Sequence, residues 1–198
     1  MISATEVSPK GLFYKENYLS QEEHDKLFKL LMNDDFKWDD QPQRREVKQY
    51  GQIYNYRRQK FEDKFDEIPD WLRVITKKIK LDGYFKEEPN QVIINKYRQT
   101  GHRNWSIPPH IDSAELFGDR IASITLGAGC VVEFCKGHHE DDASTIHTLK
   151  VASRSLYIMT KESRYNYYHR IPDSKYNKII EPDSISNIRI SLTFRTVL

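Results

Sequence analysis

The chain has 198 residues, of which 38% are hydrophobic, and a formal net charge of +2 at pH 7. These values predict a single domain, residues 1–198, with one sizeable core, and they exclude a polycation that binds nucleic acid through its overall charge. The two cysteines are too few for a disulfide framework, and the sequence shows neither a secretory signal nor an apolar run of membrane length, which predicts a cytoplasmic or nuclear protein without membrane contact.

The first part of the chain, residues 1–90, is predicted to be partly helical. Ser20 and Glu23 form a capping-box pattern that opens a first helix, "SQEEHDKLFKLLMN". A second helix is predicted after Pro69, because apolar residues recur there at helical spacing. Those residues are Ile68, Leu72, Ile75 and Ile79. Both helices are expected to cover a sheet.

Residues 43–60, "QRREVKQYGQIYNYRRQK", combine basic and aromatic side chains. Cationic groups neutralise phosphates and aromatic faces stack on unpaired bases, so the segment has the composition of a surface that binds single-stranded or loop RNA. A solvated edge hairpin with protective charges has the same composition. Composition alone leaves both interpretations open.

From Gln91 onward the pattern changes to short β-type runs separated by Gly, Asp, Ser and Pro. The runs are "QVIINKY", "RIASITLG", "VVEFC", "STIHTLKV", "SLYIMT", "NYYHRI" and "NIRISLTFRTV". So many short strands favour a β-sandwich or barrel over a βαβ fold. The prediction is one α+β domain, in which residues 1–90 provide helical support and residues 91–198 form the β-rich core.

Two cysteines and two histidines lie close together in the sequence. They are Cys130, Cys135, His138 and His139. Their C-x4-C-x2-H-H spacing fits no common zinc site, and the segment is typical of a strand and a hairpin turn. No zinc site is therefore predicted here.

The last predicted strand, "NIRISLTFR", has two unlike faces, because successive residues of a strand point in opposite directions. One face is apolar: Ile188, Ile190, Leu192 and Phe194. The other face carries two guanidinium and two hydroxyl groups: Arg189, Ser191, Thr193 and Arg195. This polar face is either exposed on an outer sheet or lines a cavity in which a guanidinium binds a carboxylate. In "QVIINKY", Asn95 and Tyr97 likewise share one face and offer groups suited to orienting a small anion.

A candidate metal site begins at "IPPHIDSAELF". His110 and Asp112 follow a double proline, and "NYYHRI" adds His169 on a later strand. Alone, an H-x-D pair is common in a solvated loop, and a strand histidine is common in a core. Together the three residues match the 2-His-1-carboxylate triad, which binds non-haem Fe(II) and leaves coordination positions open for O2 and an anionic co-substrate.

These residues resemble a known family. The motifs "NKY", "PPHID", "ESRYNYYHRI" and "RISLTFR", in this order, are similar to those of the AlkB-type Fe(II)/2-oxoglutarate-dependent dioxygenases, and the similarity extends over residues 9–197. The resemblance implies a double-stranded β-helix (jelly-roll) core with the N-terminal helices packed on one sheet. It also implies Fe(II) and 2-oxoglutarate as cofactors and O2 as co-substrate.

The resemblance assigns roles to individual residues. His110, Asp112 and His169 would bind the iron at the catalytic centre. Arg189, helped by Tyr97, would bind the distal carboxylate of 2-oxoglutarate. The other residues expected around the co-substrate and the metal are Asn95, Ser191, Thr193 and Arg195.

Within this family, the chain resembles the branch that hydroxylates a modified wobble uridine in tRNA. The stretches that carry this resemblance are "IPPHIDSAELFGDRIASITLG", "SRSLYIMTKESRY" and Ser191. The segment between Tyr97 and His110 is longer than is usual in the family, so the loop at the iron site is expected to differ. The animal enzyme of that branch also carries an RNA-recognition module and a methyltransferase domain, which makes a separate RNA-binding or methyltransferase protein an expected partner.

In this family the position of residues 43–60 forms a nucleotide-recognition lid, which favours substrate contact over a bare edge hairpin. The predicted substrate contacts are Arg44, Arg45, Lys48, Tyr50, Tyr54 and Tyr56, joined by Arg103, Trp105, Arg164 and Tyr165. An anticodon loop presents its wobble base nearly unstacked, which lowers the cost of extracting it. The predicted function is hydroxylation of a modified wobble uridine in tRNA. The alternatives are oxidative demethylation of alkylated bases in DNA or RNA, and a non-catalytic RNA-binding jelly-roll module.

Overall fold

The computed structural model describes residues 4–39, 45–98, 106–137, 144–172 and 188–198. Some residues singled out from the sequence lie outside these ranges. They are Arg44, Arg103, Trp105, His138 and His139.

Both helices predicted from the sequence are present. α1 spans Gln21–Met32 and α2 spans Asp70–Leu81, and a short third helix, α3, spans Lys161–Tyr165. The predicted capping box opens α1: the Glu23 N–H donates to the Ser20 hydroxyl over 3.1 Å, and the Ser20 N–H donates to the Glu23 carboxylate over 2.7 Å. Among the described residues, none of the three helices combines the length and the apolar composition that a membrane span needs.

The described residues contain twelve strands. The strands β1 to β4 are Thr5–Val7, Leu12–Lys15, Glu46–Asn55 and Lys60–Asp66. The strands β5 to β8 are Gln91–Arg98, Ile107–His110, Phe117–Gly127 and Cys130–Lys136. The strands β9 to β12 are Ser144–Val151, Leu156–Met159, Tyr168–Ile171 and Ile188–Val197.

These strands form two antiparallel sheets. The large sheet has the order β1-β2-β10-β7-β12-β5-β3-β4, and the small sheet has the order β6-β11-β8-β9. Strands remote in sequence are neighbours in both sheets, since β12 lies between β7 and β5, and β11 lies between β6 and β8. The fold is the jelly roll that the resemblance implies.

The helices α1 and α2 cover one face of the large sheet. Their buried apolar residues share a hydrophobic cluster with Ile190, Leu192 and Phe194 of β12, which confirms the predicted apolar face of this strand. The helical members of that cluster are Leu27, Leu31, Leu72, Ile75 and Ile79. A second cluster joins residues of both sheets, for example Met159 of the large sheet and Phe134 of the small one. The opposite face of β12 therefore looks into the space between the sheets.

The prediction of helical support for residues 1–90 is incomplete, because this part of the chain also contributes β1 to β4. The strand β3 pairs with β5 and extends the large sheet. Gly51 lies within β3 with a φ of +81°, and a Cβ at this position would meet the Asn90 carbonyl group. Glycine is therefore required at position 51, where β3 approaches the segment before β5 closely.

The strand β6 was also not predicted, because its sequence "IPPH" contains two residues without an N–H group. It is an edge strand of the small sheet, and edge strands tolerate proline. The position of β6 matters because it ends at His110, the first residue of the predicted metal triad.

Candidate active site

The three predicted iron ligands come together on neighbouring elements of the small sheet. His110, at the end of β6, pairs directly with His169 of β11, and Asp112 follows in the next loop. One ligand atom from each residue lies within 4.8 Å of the others, and Asp112 Oδ2 is 3.8 Å from His169 Nε2. Two imidazoles and one carboxylate at this spacing are the donor set of an Fe(II) facial triad.

Both imidazoles are prepared for metal binding. The His110 Nδ1 lies 2.9 Å from the Pro108 carbonyl oxygen, and donation to that oxygen leaves Nε2 with the lone pair that binds metal. Burial, together with the nearby His110 ring, lowers the pKa of His169 to about 3, although Asp112 opposes this shift. The His169 ring is therefore neutral at pH 7, the form in which an imidazole binds a metal ion.

The third ligand, Asp112, is held by the last strand of the large sheet. Arg195 of β12 donates from Nη2 to Asp112 Oδ1 over 2.6 Å, and both side chains are buried. Burial alone would raise the pKa of Asp112, but Arg195 and the two imidazoles outweigh it and lower this pKa to about 2. The carboxylate is therefore ionised at neutral pH, as a metal ligand must be.

Arg164, predicted as a substrate contact, instead supports the loop that carries Asp112. Its side chain is only 2% exposed. The guanidinium donates to the backbone carbonyl of Asp112 over 2.6 Å and to that of Ser113 over 3.0 Å. Because both ends of the guanidinium are occupied by this backbone, the prediction that Arg164 binds substrate is wrong. The neighbouring Tyr165 is exposed, packs on Arg164 and is not a lining residue of the cavity beside the metal ligands.

That cavity has the polar face of β12 as its floor. Arg189, Ser191, Thr193 and Arg195 all line it, so this face lines a cavity and is not an exposed outer surface. Polar residues of both neighbouring strands also line the cavity: Asn95 of β5, which pairs with Ser191, and Ser123 of β7, which pairs with Thr193.

Arg189 has the surroundings expected of a carboxylate-binding residue. Its guanidinium lies 5.3 Å from the Tyr97 ring and donates to the Thr125 hydroxyl over 3.5 Å. The side chain is 2% exposed, yet Nε and Nη1 have no hydrogen-bond partner among the described residues. Buried donors without partners are costly, and a carboxylate would satisfy two of them at once. The residues present therefore fit the distal carboxylate of 2-oxoglutarate.

Two of the substrate contacts predicted within residues 43–60 line the cavity, namely Arg45 and Tyr56. The Arg45 guanidinium lies 5.9 Å from the Tyr56 ring and 6.0 Å from the Tyr97 ring. Tyr54 is buried, and its ring packs edge-on against Tyr56 at 5.0 Å and Phe117 at 5.5 Å. Tyr54 thus supports Tyr56 from behind and does not line the cavity.

Lys48 and Tyr50 lie on the other face of β3. Strand alternation places them beside residues of β5 that belong to the core under the helices. The Lys48 ammonium is bound by Asp39 at 3.1 Å and Asp66 at 2.6 Å, and Tyr50 packs edge-on against Trp71. The prediction that these two residues contact a substrate in the cavity is therefore wrong.

Part of the cavity wall comes from residues that the sequence analysis did not identify. They are Ile107, Ile121, Ser123, Tyr157, Met159, Arg170 and Ile171. Strand alternation in β7 could have indicated two of them. Ile121 and Ser123 alternate there with residues of the helix-covered core, Ala122 and Ile124. Tyr157 follows from the register, since it pairs with Ser123. Cys130 and Cys135 are buried free thiols.

Comparison with known proteins identifies the family. The family model for the 2OG-Fe(II) oxygenase superfamily matches residues 11–195, a range that contains the three triad positions. The chain belongs to this superfamily. The protein is therefore a dioxygenase that uses Fe(II), 2-oxoglutarate and O2.

Relatives in sequence place the dioxygenase among AlkB homologues. The mouse tRNA (carboxymethyluridine(34)-5-O)-methyltransferase ALKBH8 is 32% identical over 182 residues, which cover 88% of this chain and 26% of the mouse protein. The Arabidopsis thaliana alkylated DNA repair protein ALKBH8 homolog is 27% identical over 98% of this chain and 60% of its own length. The uncharacterized protein L905 of Acanthamoeba polyphaga mimivirus is 30% identical over 95% of this chain and 85% of its own length.

Solved structures of two further proteins share the fold of the dioxygenase. OsALKBH1 superposes with a TM-score of 0.65 at 16% identity, covering 98% of this chain and 99% of that one. A Pseudomonas putida prolyl-4-hydroxylase superposes with a TM-score of 0.56 at 13% identity, covering 94% and 92% of the two chains. These likenesses support the jelly-roll architecture.

The residues that line the cavity have separate roles in the dioxygenase reaction. When bound, Fe(II), 2-oxoglutarate and O2 supply the oxidation of a substrate C–H bond, with release of succinate and CO2. His110, Asp112 and His169 would hold the metal, and Arg189 would orient the co-substrate by its distal carboxylate. Arg195 keeps the Asp112 carboxylate ionised and in place. Apolar side chains in the wall, such as Met159, limit the access of water to the site.

Proposed function

We propose that this dioxygenase acts on RNA and hydroxylates a modified wobble uridine in the anticodon loop of a tRNA. The observation that carries the proposal is the 32% identity to the mouse protein named for carboxymethyluridine at tRNA position 34. The matched segment is 26% of that protein. A separate RNA-binding or methyltransferase protein is part of the proposal as a partner.

The residues around the cavity support a nucleobase as substrate. Arg45 and Tyr56 line the cavity, and Tyr56 is partly exposed, so that its ring offers a surface on which an extruded base can stack. Tyr54 packs against this ring, and Phe117 in turn packs against Tyr54, which fixes the orientation of Tyr56. A cation beside an aromatic face is a common arrangement for binding unpaired bases.

The turn between β3 and β4 supports contact with the RNA backbone. Arg57 and Arg58 are exposed on it, and Lys60 is exposed at the start of β4. The Asn55 side chain accepts hydrogen bonds from the backbone N–H groups of residues 57 and 58, at 3.1 and 3.0 Å, which orders the turn. The three cations can neutralise phosphates on either side of a base that enters the cavity. This surface is a local basic patch, which RNA binding needs here because the net charge of the whole chain is small.

Oxidative demethylation of an alkylated base is the second candidate. It is favoured by the Arabidopsis relative, which is named as an alkylated DNA repair protein and aligns with 98% of this chain. Both outcomes begin with hydroxylation of a carbon atom. They differ in whether that carbon is bonded to nitrogen, in which case the product loses formaldehyde.

Nucleoside mass spectrometry of tRNA before and after incubation with the enzyme, Fe(II), 2-oxoglutarate and O2 tests the proposal. A modified uridine that gains one oxygen atom supports it, and loss of a methyl group from adenine or cytosine supports demethylation. Asp112→Ala is the control, because it removes a metal ligand. If the enzyme forms succinate but leaves every tRNA nucleoside unchanged, tRNA is not its substrate.

A further inference from the structure

We propose that Phe117 is a positioning residue for the iron site and that it links the β3–β4 hairpin to the metal ligand Asp112. The hairpin consists of Glu46–Asn55 and Lys60–Asp66 with the turn between them, and none of the three triad residues belongs to it. The affinity of the triad for a metal ion then depends on how the hairpin packs. This positioning role does not depend on the identity of the substrate.

The Phe117 side chain supports the arginine that holds Asp112. Its ring is only 1% exposed, and the Arg195 guanidinium lies over the ring, 4.5 Å from the centroid. The Arg195 Nη2 atom is 2.6 Å from Asp112 Oδ1, whereas Nε and Nη1 are buried without a hydrogen-bond partner among the described residues. Contact with the ring therefore helps to fix the orientation in which the guanidinium reaches Asp112.

The Phe117 backbone supports the same metal ligand from a second side. Its N–H group donates to the Ser113 carbonyl oxygen over 3.2 Å, and β7 begins at this residue. The hydrogen bond closes the loop that carries Asp112. A displacement of Phe117 would therefore disturb Asp112 both through this loop and through Arg195.

The hairpin packs on this phenylalanine from the large sheet. Tyr54 of β3 and Phe61 of β4 lie edge-on to the Phe117 ring, with centroid distances of 5.5 and 5.6 Å. The two rings also contact each other, at 5.8 Å. Tyr56, in the turn of the hairpin, joins the cluster through Tyr54 at 5.0 Å. Phe117 thus contacts the hairpin as well as the arginine of the iron site.

The hairpin has little buried surface of its own. β4 is the edge strand of the large sheet, and five of its seven residues are exposed, while Phe61 and Asp66 are half-buried. A segment with so few buried contacts opens at a low cost in free energy, so its packing can change while the sheet core stays folded. Phe61 is the side chain through which such a change reaches Phe117.

Binding at the hairpin and binding at the triad are therefore expected to be coupled. A base that enters the cavity against Tyr56 favours the packed position of the hairpin, and this position also supports the pair of Arg195 and Asp112. By thermodynamic linkage, RNA then raises the affinity for metal by the same factor by which metal raises the affinity for RNA. This coupling, unlike the positioning role, rests on the proposed function.

The positioning role is tested without RNA, by measuring Co(II) affinity anaerobically in the presence of 2-oxoglutarate. We expect Phe61→Ala and Phe117→Leu to weaken Co(II) binding about 10-fold, within the range typical of residues that support metal ligands. Phe61→Tyr keeps the ring and should keep the wild-type affinity. Phe65→Ala is the matched control, because it makes the same substitution on the same strand at a side chain that is 67% exposed.

A second control separates positioning from a general loss of stability. Phe85 is buried in the core beside the helices, so Phe85→Leu should lower the free energy of unfolding in urea and leave Co(II) affinity unchanged. The positioning role is overturned if Phe61→Ala binds Co(II) like the wild type. It is also overturned if Phe85→Leu weakens Co(II) binding as much as Phe117→Leu does.

The coupling is tested by repeating the Co(II) titration with a tRNA anticodon stem-loop. We expect the stem-loop to tighten Co(II) binding about 5-fold or more in the wild type and hardly at all in Phe117→Leu. A stem-loop that binds without changing the Co(II) affinity overturns the coupling. A stem-loop that does not bind contradicts the proposed function instead, and the comparison of Phe61→Ala with Phe65→Ala then decides the positioning role by itself.

Discussion

Arg195 and Asp112 form a buried ion pair, with 2.6 Å between Arg195 Nη2 and Asp112 Oδ1. This contact joins the two sheets, because Arg195 belongs to β12 of the large sheet and Asp112 lies in the loop after β6 of the small sheet. The position of a metal ligand therefore depends on how the sheets pack, and not only on the loop that carries it.

Loss of the Arg195 side chain is expected to destabilise the metal-free protein. Arg195→Gln leaves a buried carboxylate without its cation, which costs about 3 kcal/mol in the free energy of unfolding. The double variant with Asp112→Asn should recover part of this loss, because the unpaired charge is then absent. Urea unfolding at pH 7 of the wild type, the two single variants and the double variant measures the coupling free energy between the two side chains. Strictly additive effects of the two substitutions would show that the ion pair has no role in stability.

The metal-free protein is expected to lose stability as the pH falls from about 6.5 towards 3. The folded His169 has a pKa of about 3, against 6.5 for an ordinary histidine, so within this window the unfolded chain binds a proton that the folded chain does not. The slope from this residue approaches about 1.4 kcal/mol per pH unit. Asp112, with its lowered pKa of about 2, adds stability above about pH 4 that is lost only as the pH falls through 2.

Urea unfolding at a series of pH values between 7 and about 4 checks this expectation, with His169→Gln as the comparison. The variant should show a shallower dependence over the same range. An unchanged slope would mean that His169 is not the group that takes up the proton.

Arg189→Gln is expected to raise the KM for 2-oxoglutarate by about 10- to 100-fold, because a charge-assisted bidentate contact is removed. Arg189→Lys should have a smaller effect, since it keeps the charge but not the planar pair of donors. The measurement is succinate formation without RNA, at saturating Fe(II). Metal affinity, measured anaerobically with Co(II), should stay near that of the wild type. A fall in metal affinity with no change in this KM would assign Arg189 to the metal site.

Arg164→Ala is expected to weaken metal binding by about 10-fold or more, because it removes both donors that orient the backbone around Asp112. Arg164→Lys should retain part of the affinity. Tyr165→Ala is the control, because Tyr165 is exposed and makes no contact with that loop in the described hydrogen bonds. If Arg164→Ala reduces only the affinity for RNA, the substrate role predicted from the sequence is restored.

The parts of the site that lie on regular strands could be predicted from the sequence. The alternation in β12 separated its apolar face from Arg189 and Arg195, because each residue type matches the side to which the strand directs it. The same reasoning placed Asn95 and Tyr97 of β5 towards the cavity. The metal triad followed from residue type and order.

The wrong predictions concern residues whose buried partners are distant in the sequence. In β3 the face towards the core carries Lys48, whose charge is satisfied by Asp39 and Asp66, partners that only the folded chain brings near. Composition therefore suggested that Lys48 contacts substrate or solvent. Arg164 was misassigned for a similar reason, since its partners are backbone carbonyl groups 51 and 52 residues away in the sequence. No local pattern indicates such a contact.

One consequence follows from the presence of Arg189 and Arg195 on the same strand. An even number of peptide units separates them, so both guanidinium groups emerge on one side of β12, about 20 Å apart along a fully extended chain. Inserting or deleting a single amino acid between them would turn one of the two side chains to the opposite face of the sheet. Arg189 and Arg195 could then no longer both reach the cavity, one for the carboxylate of 2-oxoglutarate and the other for Asp112. The number of residues between the two arginines must therefore be kept if both side chains are to reach the cavity. Neither arginine alone shows this requirement.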